Sequence, residues 1–296
     1  MISKLIKIRR LLESLVLPPG KTLISEFDSL RSVLAASNNA ELQIQSEQDY
    51  LFLRLSDLSR LLISSKEVNW EIETRHPIAI ESMDHIFPRG VKTDETRSPS
   101  FANAIEDYFG KKVSYLDLGC AGGGVVYDFI VNGNLALGIE GSDYALIHQR
   151  TYWREIQWAL KTADLTKPLS IKLNNQIAKF DVIGAWEFFE HIKESDIPQV
   201  LLNVRSHLRD EKSMLLANIA MFDDCDSETH WHQTVMDFDW WKEKFENAGF
   251  EIFEYPIKQN LNPRGTGNTL GTWGRDYNIT LNPEMGFVIS ARLKNF

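Results

Sequence analysis

Between residues 114 and 124 the sequence SYLDLGCAGGG sets one carboxylate, Asp117, beside Gly119, Gly122, Gly123 and Gly124, with Cys120 and Ala121 inside the same turn. Glycine lets a backbone approach a ligand where a Cβ would clash, so this turn can hold a polar group close to the main chain. About twenty residues on, GIEGSD carries Glu140, Gly141 and Ser142. At that interval an acidic side chain accepts hydrogen bonds from both hydroxyls of a ribose. Asp164 and Leu165 follow, a carboxylate for an exocyclic amine and an apolar face for a flat ring. WEFFEHI then groups Trp186, Glu187, Glu190 and His191, and a later polar run carries Asp223, Asp224, Asp226, His230 and His232. Histidine titrates near neutral pH, so His191, His230 and His232 are candidate bases, each set against the plainer role of a loop histidine bonded to backbone. The three aspartates would suit magnesium or calcium, but a solvated turn explains them more simply and no metal is expected.

These groups must be carried by a sheet whose strands end beside one another. Tyr115, Leu116 and Leu118 read as a short buried strand, and VVYDFIV after the glycines reads as a helix whose first N–H groups face the crevice. NLALGIE is a second strand ending in Glu140, and a short third runs around Gln157 to Thr162. Val182 to Ala185 is a buried fourth strand, IPQVLLNVRSHL an amphipathic helix and SMLLANIAM a fifth strand. A helix from about Phe238 stops at Gly249, and Phe250–Tyr255 and Gly286–Leu293 supply two more strands. Strands alternating with helices predict an α/β fold with ligands at the carboxyl ends of a mostly parallel sheet.

Upstream, Leu5, Ile8, Leu12 and Leu15 recur at helical spacing, Pro18, Pro19 and Gly20 break the pattern, and Leu23–Leu34 and LFLRLSDLSRLL resume it. These helices are read as packing on one another or on the main domain, with a dimerising arm or a basic membrane-surface helix as alternatives. The division is therefore a helical extension and linker over residues 1–84 and a ligand-binding domain over 85–296. Trp70 to Phe101 reads as an irregular connecting loop in which Asp94, Arg97 and Ser98 overlie the crevice. The polar insertion LNPRGTGNTLGTWGRDYN before the last strand would shape a pocket.

Composition narrows the function. With 41 Asp plus Glu against 32 Lys plus Arg, the chain lacks the basic excess of a general nucleic-acid binder. Two cysteines, Cys120 and Cys225, form neither a zinc pattern nor a disulfide framework, which suits a reduced, cytoplasmic protein. No apolar stretch is long enough to span a bilayer, and Arg9, Arg10 and Glu13 interrupt any signal-peptide core.

Taken together, LDLGCAGGG, GIEGSD, TADL, FDVIGAWEFFEHI and WWKEKFENAGF resemble, in this order and spacing, the class I S-adenosylmethionine-dependent methyltransferases over roughly residues 85 to 295. Ala121 departs from the family by replacing its second glycine. The same residue argues against a dinucleotide, because Gly-x-Gly-x-x-Gly is unmet at its middle position. The resemblance implies a Rossmann-like sheet of seven strands in the order 3-2-1-4-5-7-6, the last antiparallel, with helices on both faces. It implies Asp117 and Gly119 at the methionine portion of the cofactor, Glu140 at its ribose, Asp164 and Leu165 at its adenine, and Glu187 near the sulfonium, with Trp186 also in the cofactor set. Cys120, Ala121, Gly122, Gly123, Gly141, Ser142 and Arg97 complete the expected cofactor set. HQTV resembles a His-Gln element of bacterial relatives, which makes His232 the first candidate base, ahead of His230 and His191.

The expected reaction is O-methylation of a sugar, glycan or other small polar hydroxyl compound, with Trp231, Trp240, Trp241 and Trp273 available to stack on a ring. Alternatives are a nitrogen, carbon or carboxylate acceptor, a non-catalytic cofactor-binding protein, or a scaffold acting through its N-terminal helices, which also suit a homodimer.

Overall fold

The computed structural model describes residues 68–94, 96–226, 229–264 and 283–294. The expected helices of residues 1 to 65 lie outside that range. Two sheets are present. A small antiparallel sheet contains β1 (Trp70–Glu73), β5 (Ser170–Leu173) and β6 (Gln176–Ile177), in the order β1-β5-β6. The main sheet contains β2 (Ser114–Leu118), β3 (Leu135–Glu140), β4 (Leu160–Thr162), β7 (Val182–Trp186), β8 (Met214–Ala220), β9 (Phe250–Ile252) and β10 (Gly286–Leu293). Its spatial order is β4-β3-β2-β7-β8-β10-β9, which is 3-2-1-4-5-7-6 when only its own strands are counted. Five strands, β4, β3, β2, β7 and β8, run parallel in four neighbouring pairs, and β10 is antiparallel to both β8 and β9.

Every residue of β2, β7 and β8 is buried, as expected of parallel strands covered on both faces. Alternation along β2 divides the core. Leu116 and Leu118 pack with Ile183, Phe189, Trp241 and Phe245 on one side, whereas Tyr115 packs with Phe101, Phe129 and Trp186 on the other. Tyr115 stacks on Phe129 with ring centroids 4.0 Å apart.

Two short helices, α1 (Met83–Ile86) and α2 (Arg89–Thr93), lead into α3 (Pro99–Phe109), which begins with proline and ends at Gly110 in the left-handed region. The helix after the glycine turn is α4 (Gly124–Val131), buried at all eight positions. It is followed by α5 (Tyr144–Ile147), α6 (Ile197–His207) and α7 (Phe238–Asn247), the last capped by the Asp237 carboxylate accepting from Trp240 N–H at 2.9 Å. Strand β2 has β3 on one side and β7 on the other. The strand order reverses there, and a crevice opens beyond the carboxyl ends of this pair.

Three expectations change. Trp70–Glu73, read as connecting loop, is a strand paired with Ser170–Leu173, about a hundred residues away in sequence. Trp70 is buried against Phe180, and Asn174 and Asn175, both with positive φ, close the tight β5–β6 hairpin. Gln157–Ala159 forms a 3-10 turn, so β4 starts at Leu160. Strand β9 ends at Ile252, short of Tyr255. No helix among the described residues is long and apolar enough to cross a membrane.

Candidate active site

The glycine turn is knitted to the next strand. Gly119 N–H and Cys120 N–H both donate to Ile139 O, at 2.9 and 3.2 Å. Gly119 has φ +68°, and a Cβ there would lie 2.8 Å from the Phe188 ring. Ala121 accepts a left-handed φ of +44° despite its methyl group. That conformation points its N–H at Glu140 Oε2, at 2.8 Å, while Ser142 N–H donates to Oε1 at 3.1 Å. Glu140 thus stands at the end of β3 with each oxygen held by one backbone donor and a lone pair to spare. Burial pushes its carboxyl up to about 7, against the opposing pull of the Ser142 and Ala121 N–H groups.

A cavity of about 860 Å³ runs along the carboxyl edge of the sheet. It stands near the upper end of the roughly 300–1,000 Å³ usual for small-molecule sites, which leaves room for two ligands. Its wall brings together Gly119, Ala121, Glu140, Gly141, Asp164, Leu165, Trp186, Glu187, His191 and His232. Asp164 Oδ1 accepts from Thr166 N–H and Oγ1–H at 2.9 and 2.6 Å, so the carboxylate is fixed in place.

Other expected residues lie off this wall. Asp117 is beneath it, its Oδ1 accepting from the Tyr115 hydroxyl at 2.8 Å, and burial lifts its carboxyl to about 8. Cys120 is packed under Gly138, Gly123 against Leu160, and the Gly122 carbonyl accepts from Tyr152 N–H at 3.2 Å. Ser142 is buried, and it supports Glu140 from behind. Arg97 turns away from the cavity: its Nε donates to the buried Asp128 of α4 at 2.6 Å and its Nη1 to the Tyr152 hydroxyl at 2.9 Å. Ser98 N–H donates to the same Asp128 at 2.6 Å, so this segment tethers α4. His230 is exposed, 3.2 Å from Asp223, outside the cavity.

At the β7 end the polar side chains crowd together. Glu187, at φ +51°, has its N–H accepted by Asn218 Oδ1 at 2.8 Å. Its carboxylate is 3.2 Å from Arg264 Nη1, which also lies 3.5 Å from Asp94. Burial raises the Glu187 carboxyl, while Arg264 opposes the rise. His191 Nδ1 is 2.9 Å from Asp84 Oδ2. Burial disfavours its charge, but Asp84, Glu190 and Glu187 outweigh this and lift the imidazole to about 9, so His191 is a cation at neutral pH. His232 is the opposite case. Burial and the neighbouring His191 charge lower its pKa, while its Nδ1–H donates to Phe222 O at 2.6 Å. The two rings meet edge to face at 4.9 Å. His232 is therefore neutral with a fixed tautomer, and its Nε2 has no hydrogen-bond partner among the described residues.

The three aspartates diverge. Asp224 lines the cavity and pairs with Arg89 of α2, whose guanidinium lies 4.0 Å over the Trp231 ring. Asp226 accepts from Thr229 N–H at 2.9 Å, and Asp223 faces His230. Asp223, Cys225 and His230 do approach within 4.8 Å of one another, on the exposed surface. Of the tryptophans, Trp231 lines the cavity, Trp241 is core, Trp240 packs on Trp241, and Trp273 lies outside the described residues.

Sequence reasoning missed Asp84, Arg89 and Arg264. Nothing in their local spacing marks them, because each acts through a residue at least seventy positions away. The local signs were Ser82, whose side chain accepts from Asp84 N–H and caps α1, and the polar insertion LNPRGTGNTLGTWGRDYN, which contains Arg264.

A methyltransferase domain family matches residues 93–255, more than half of the chain. No curated protein matches the sequence. Among solved structures the chain is similar to an S-adenosylmethionine-dependent methyltransferase from Clostridium acetobutylicum ATCC 824, at 12% identity and TM-score 0.46, over 71% of this chain and 97% of that one. It is similar to a protein from Pyrococcus horikoshii OT3, at 14% identity and TM-score 0.45, over 74% and 95%. A third is the glycopeptide N-methyltransferase MtfA, at 14% identity and TM-score 0.44, over 66% and 90%.

Proposed function

The chain belongs to the class I S-adenosylmethionine-dependent methyltransferases, and from that premise we propose that it methylates a hydroxyl of a sugar, a glycan or another small polar acceptor, with His232 as the base. The residues present suit the cofactor. Gly119 lies on the cavity wall, where the lack of a Cβ lets the Phe188 ring pack against the turn, and Glu140 keeps a lone pair on each oxygen for the two ribose hydroxyls. Asp164 and Leu165 stand at the far end of the same wall for an amine-bearing flat ring. When bound, the cofactor supplies a methyl group already activated by a positively charged sulfur.

What remains for the protein is to align the acceptor, exclude water and remove a proton. The state of His232 is the observation that carries the proposal. Phe222 O holds Nδ1–H, burial keeps the ring neutral, and Nε2 is left to take the proton of an acceptor hydroxyl in the cavity. A group that only oriented a loop would have no need of an unpartnered second nitrogen. Trp231, braced by Arg89 over one face and donating Nε1–H to Phe87 O at 3.2 Å, offers an apolar surface for a sugar ring.

The test is a methyl-transfer assay with labelled cofactor against sugars, nucleotide sugars and small amines. Sugar hydroxyls should be methylated, and His232→Ala should lower kcat by about 10²- to 10⁴-fold with cofactor affinity unchanged. Turnover of amines alone, or full activity in the variant, would refute the reading.

A further inference from the structure

Three residues of the glycine turn lie in the left-handed region: Gly119 at φ +68°, Ala121 at +44° and Gly123 at +82°. Two are glycines and adopt it freely, whereas the Cβ of Ala121 crowds a backbone oxygen there. An alanine keeps such a conformation only where its surroundings over-determine it. For Ala121 they act on both flanking peptide planes. On one side its N–H donates to Glu140 Oε2 at 2.8 Å; on the other its carbonyl accepts from the Trp153 indole Nε1–H at 2.7 Å. Peptide units are rigid planes, so one bond to each leaves the two torsions between them little freedom.

The indole comes from a strained turn. Thr151–Arg154 forms a 3-10 turn in which Thr151 has φ +38°, preceded by Gln149 at +48°. Positive φ is a genuine outlier for a β-branched side chain, and such outliers gather where a site must be held. Thr151 Oγ1–H and Tyr152 N–H both donate to Gly122 O, each at 3.2 Å. With Trp153, the turn thus supplies three donors to two consecutive carbonyls of the cradle. It is anchored in its own right: Trp153 N–H donates to Arg150 O at 2.9 Å, and the Arg154 guanidinium donates to Gln149 O. The Tyr152 hydroxyl is tied through Arg97 to Asp128 of α4. Trp153 is fully buried, in the same apolar cluster as Cys120, Val126 and Leu160.

None of these three donors lines the cavity; they reach it through Ala121, which stands on its wall beside Glu140. We propose that Trp153, seconded by Thr151, is a positioning residue for the cofactor cradle: its indole N–H holds Ala121 in the left-handed conformation that a glycine would adopt unaided. This rests on the cofactor assignment above, because that conformation is what turns the Ala121 N–H to Glu140. When the hold is lost, Ala121 relaxes part of the time, and apparent affinity falls with the fraction of protein whose cradle is formed.

The experiment is calorimetric titration with S-adenosylmethionine at pH 8 of the full chain, Trp153→Phe, Ala121→Gly and the double variant, with melting temperatures as the control for folding. Trp153→Phe should weaken binding by about 3- to 10-fold, the range of one hydrogen bond between neutral groups. In the Ala121→Gly background the same change should cost less than about twofold, because glycine needs no hold. A brace that merely supported the fold would cost the same in both backgrounds, and that result overturns the proposal, as does wild-type affinity in Trp153→Phe. If Trp153→Phe does not fold, Thr151→Val removes the side-chain bond to Gly122 and is judged by the same comparison.

A second readout needs no cofactor. The Ala121 N–H favours the charged form of Glu140, against burial and the Asp84 charge. The Glu140 carboxyl, followed by carbon NMR and assigned with Glu140→Gln, should therefore titrate higher in Trp153→Phe than in wild type, and return in the double variant. An unshifted titration refutes the brace. If wild type binds no S-adenosylmethionine, the cofactor assignment fails, and the Glu140 titration alone decides whether Trp153 holds Ala121.

Discussion

Glu140→Gln isolates the ribose contact with almost no change of shape. The carboxylate accepts from Ala121 N–H at 2.8 Å and Ser142 N–H at 3.1 Å, so exchanging one oxygen for an amide sets a donor against a donor. That mismatch destabilises the ligand-free protein by about 1–3 kcal/mol. In the complex, hydrogen bonds from two ribose hydroxyls fall from charge-assisted to neutral, and each loses about half its strength. The two together weaken binding by about 2–3 kcal/mol, which is roughly 30- to 150-fold in Kd. Titration of S-adenosylmethionine at pH 8 measures this directly. A second signature comes from protonation. Burial holds the wild-type carboxyl at about 7, and donors from the ribose favour its charged form, so binding lowers that pKa. Affinity is then lost as pH falls through about 7, and this component is absent in Glu140→Gln. Equal affinities within about threefold at pH 8, or the same pH slope in both proteins, would refute the ribose assignment.

The pH profile of kcat/KM should rise with an apparent pKa below the usual histidine value, because His232 must be unprotonated, and fall near 9 as His191 loses its proton; His232→Ala should remove the acid limb. In the ligand-free protein, burial lifts Asp117 to about 8 and Glu190 to about 7. Their stabilising contribution is present below the unfolded values and is lost as pH rises through 7 to 8. The melting temperature should therefore drop between pH 5 and 8.5, more so than in Asp117→Asn; a flat curve would show that these carboxyls are not neutral in the fold. Gly124→Ala places a methyl group into the Thr96 carbonyl, so α4 and the segment over it must part. We expect destabilisation of about 1–3 kcal/mol, read as Cm in urea; an unchanged Cm would mean the segment yields freely.

Much of the fold was legible because its signals are local. The run SYLDL is apolar enough for a strand buried on both faces, and the glycines that follow can only be a turn. The spacing to Glu140 is set by one intervening helix, so the cradle and its acid could be paired by counting. The small sheet escaped notice because β1 is four residues long and pairs with a strand about a hundred positions away. Pairing at that distance depends on Trp70 finding Phe180, which no periodicity reports. Arg97 was placed over the crevice by its position in the chain, yet Asp128 lies buried in α4 and draws the guanidinium to itself.

The histidines show the division most sharply. The sequence alone determined that three histidines could serve the site, that a glycine turn leads to an acidic strand end, and that the sheet would gather them at one edge. Each of those follows from residue type and interval along the chain. Tertiary structure alone decided which histidine is neutral and which is charged. Asp84, more than a hundred residues upstream, stabilises the protonated form of His191, while burial and the neighbouring His191 charge keep His232 free of a second proton. Protonation state depends on the distance to other charges and on the loss of water, and both exist only once the chain has folded.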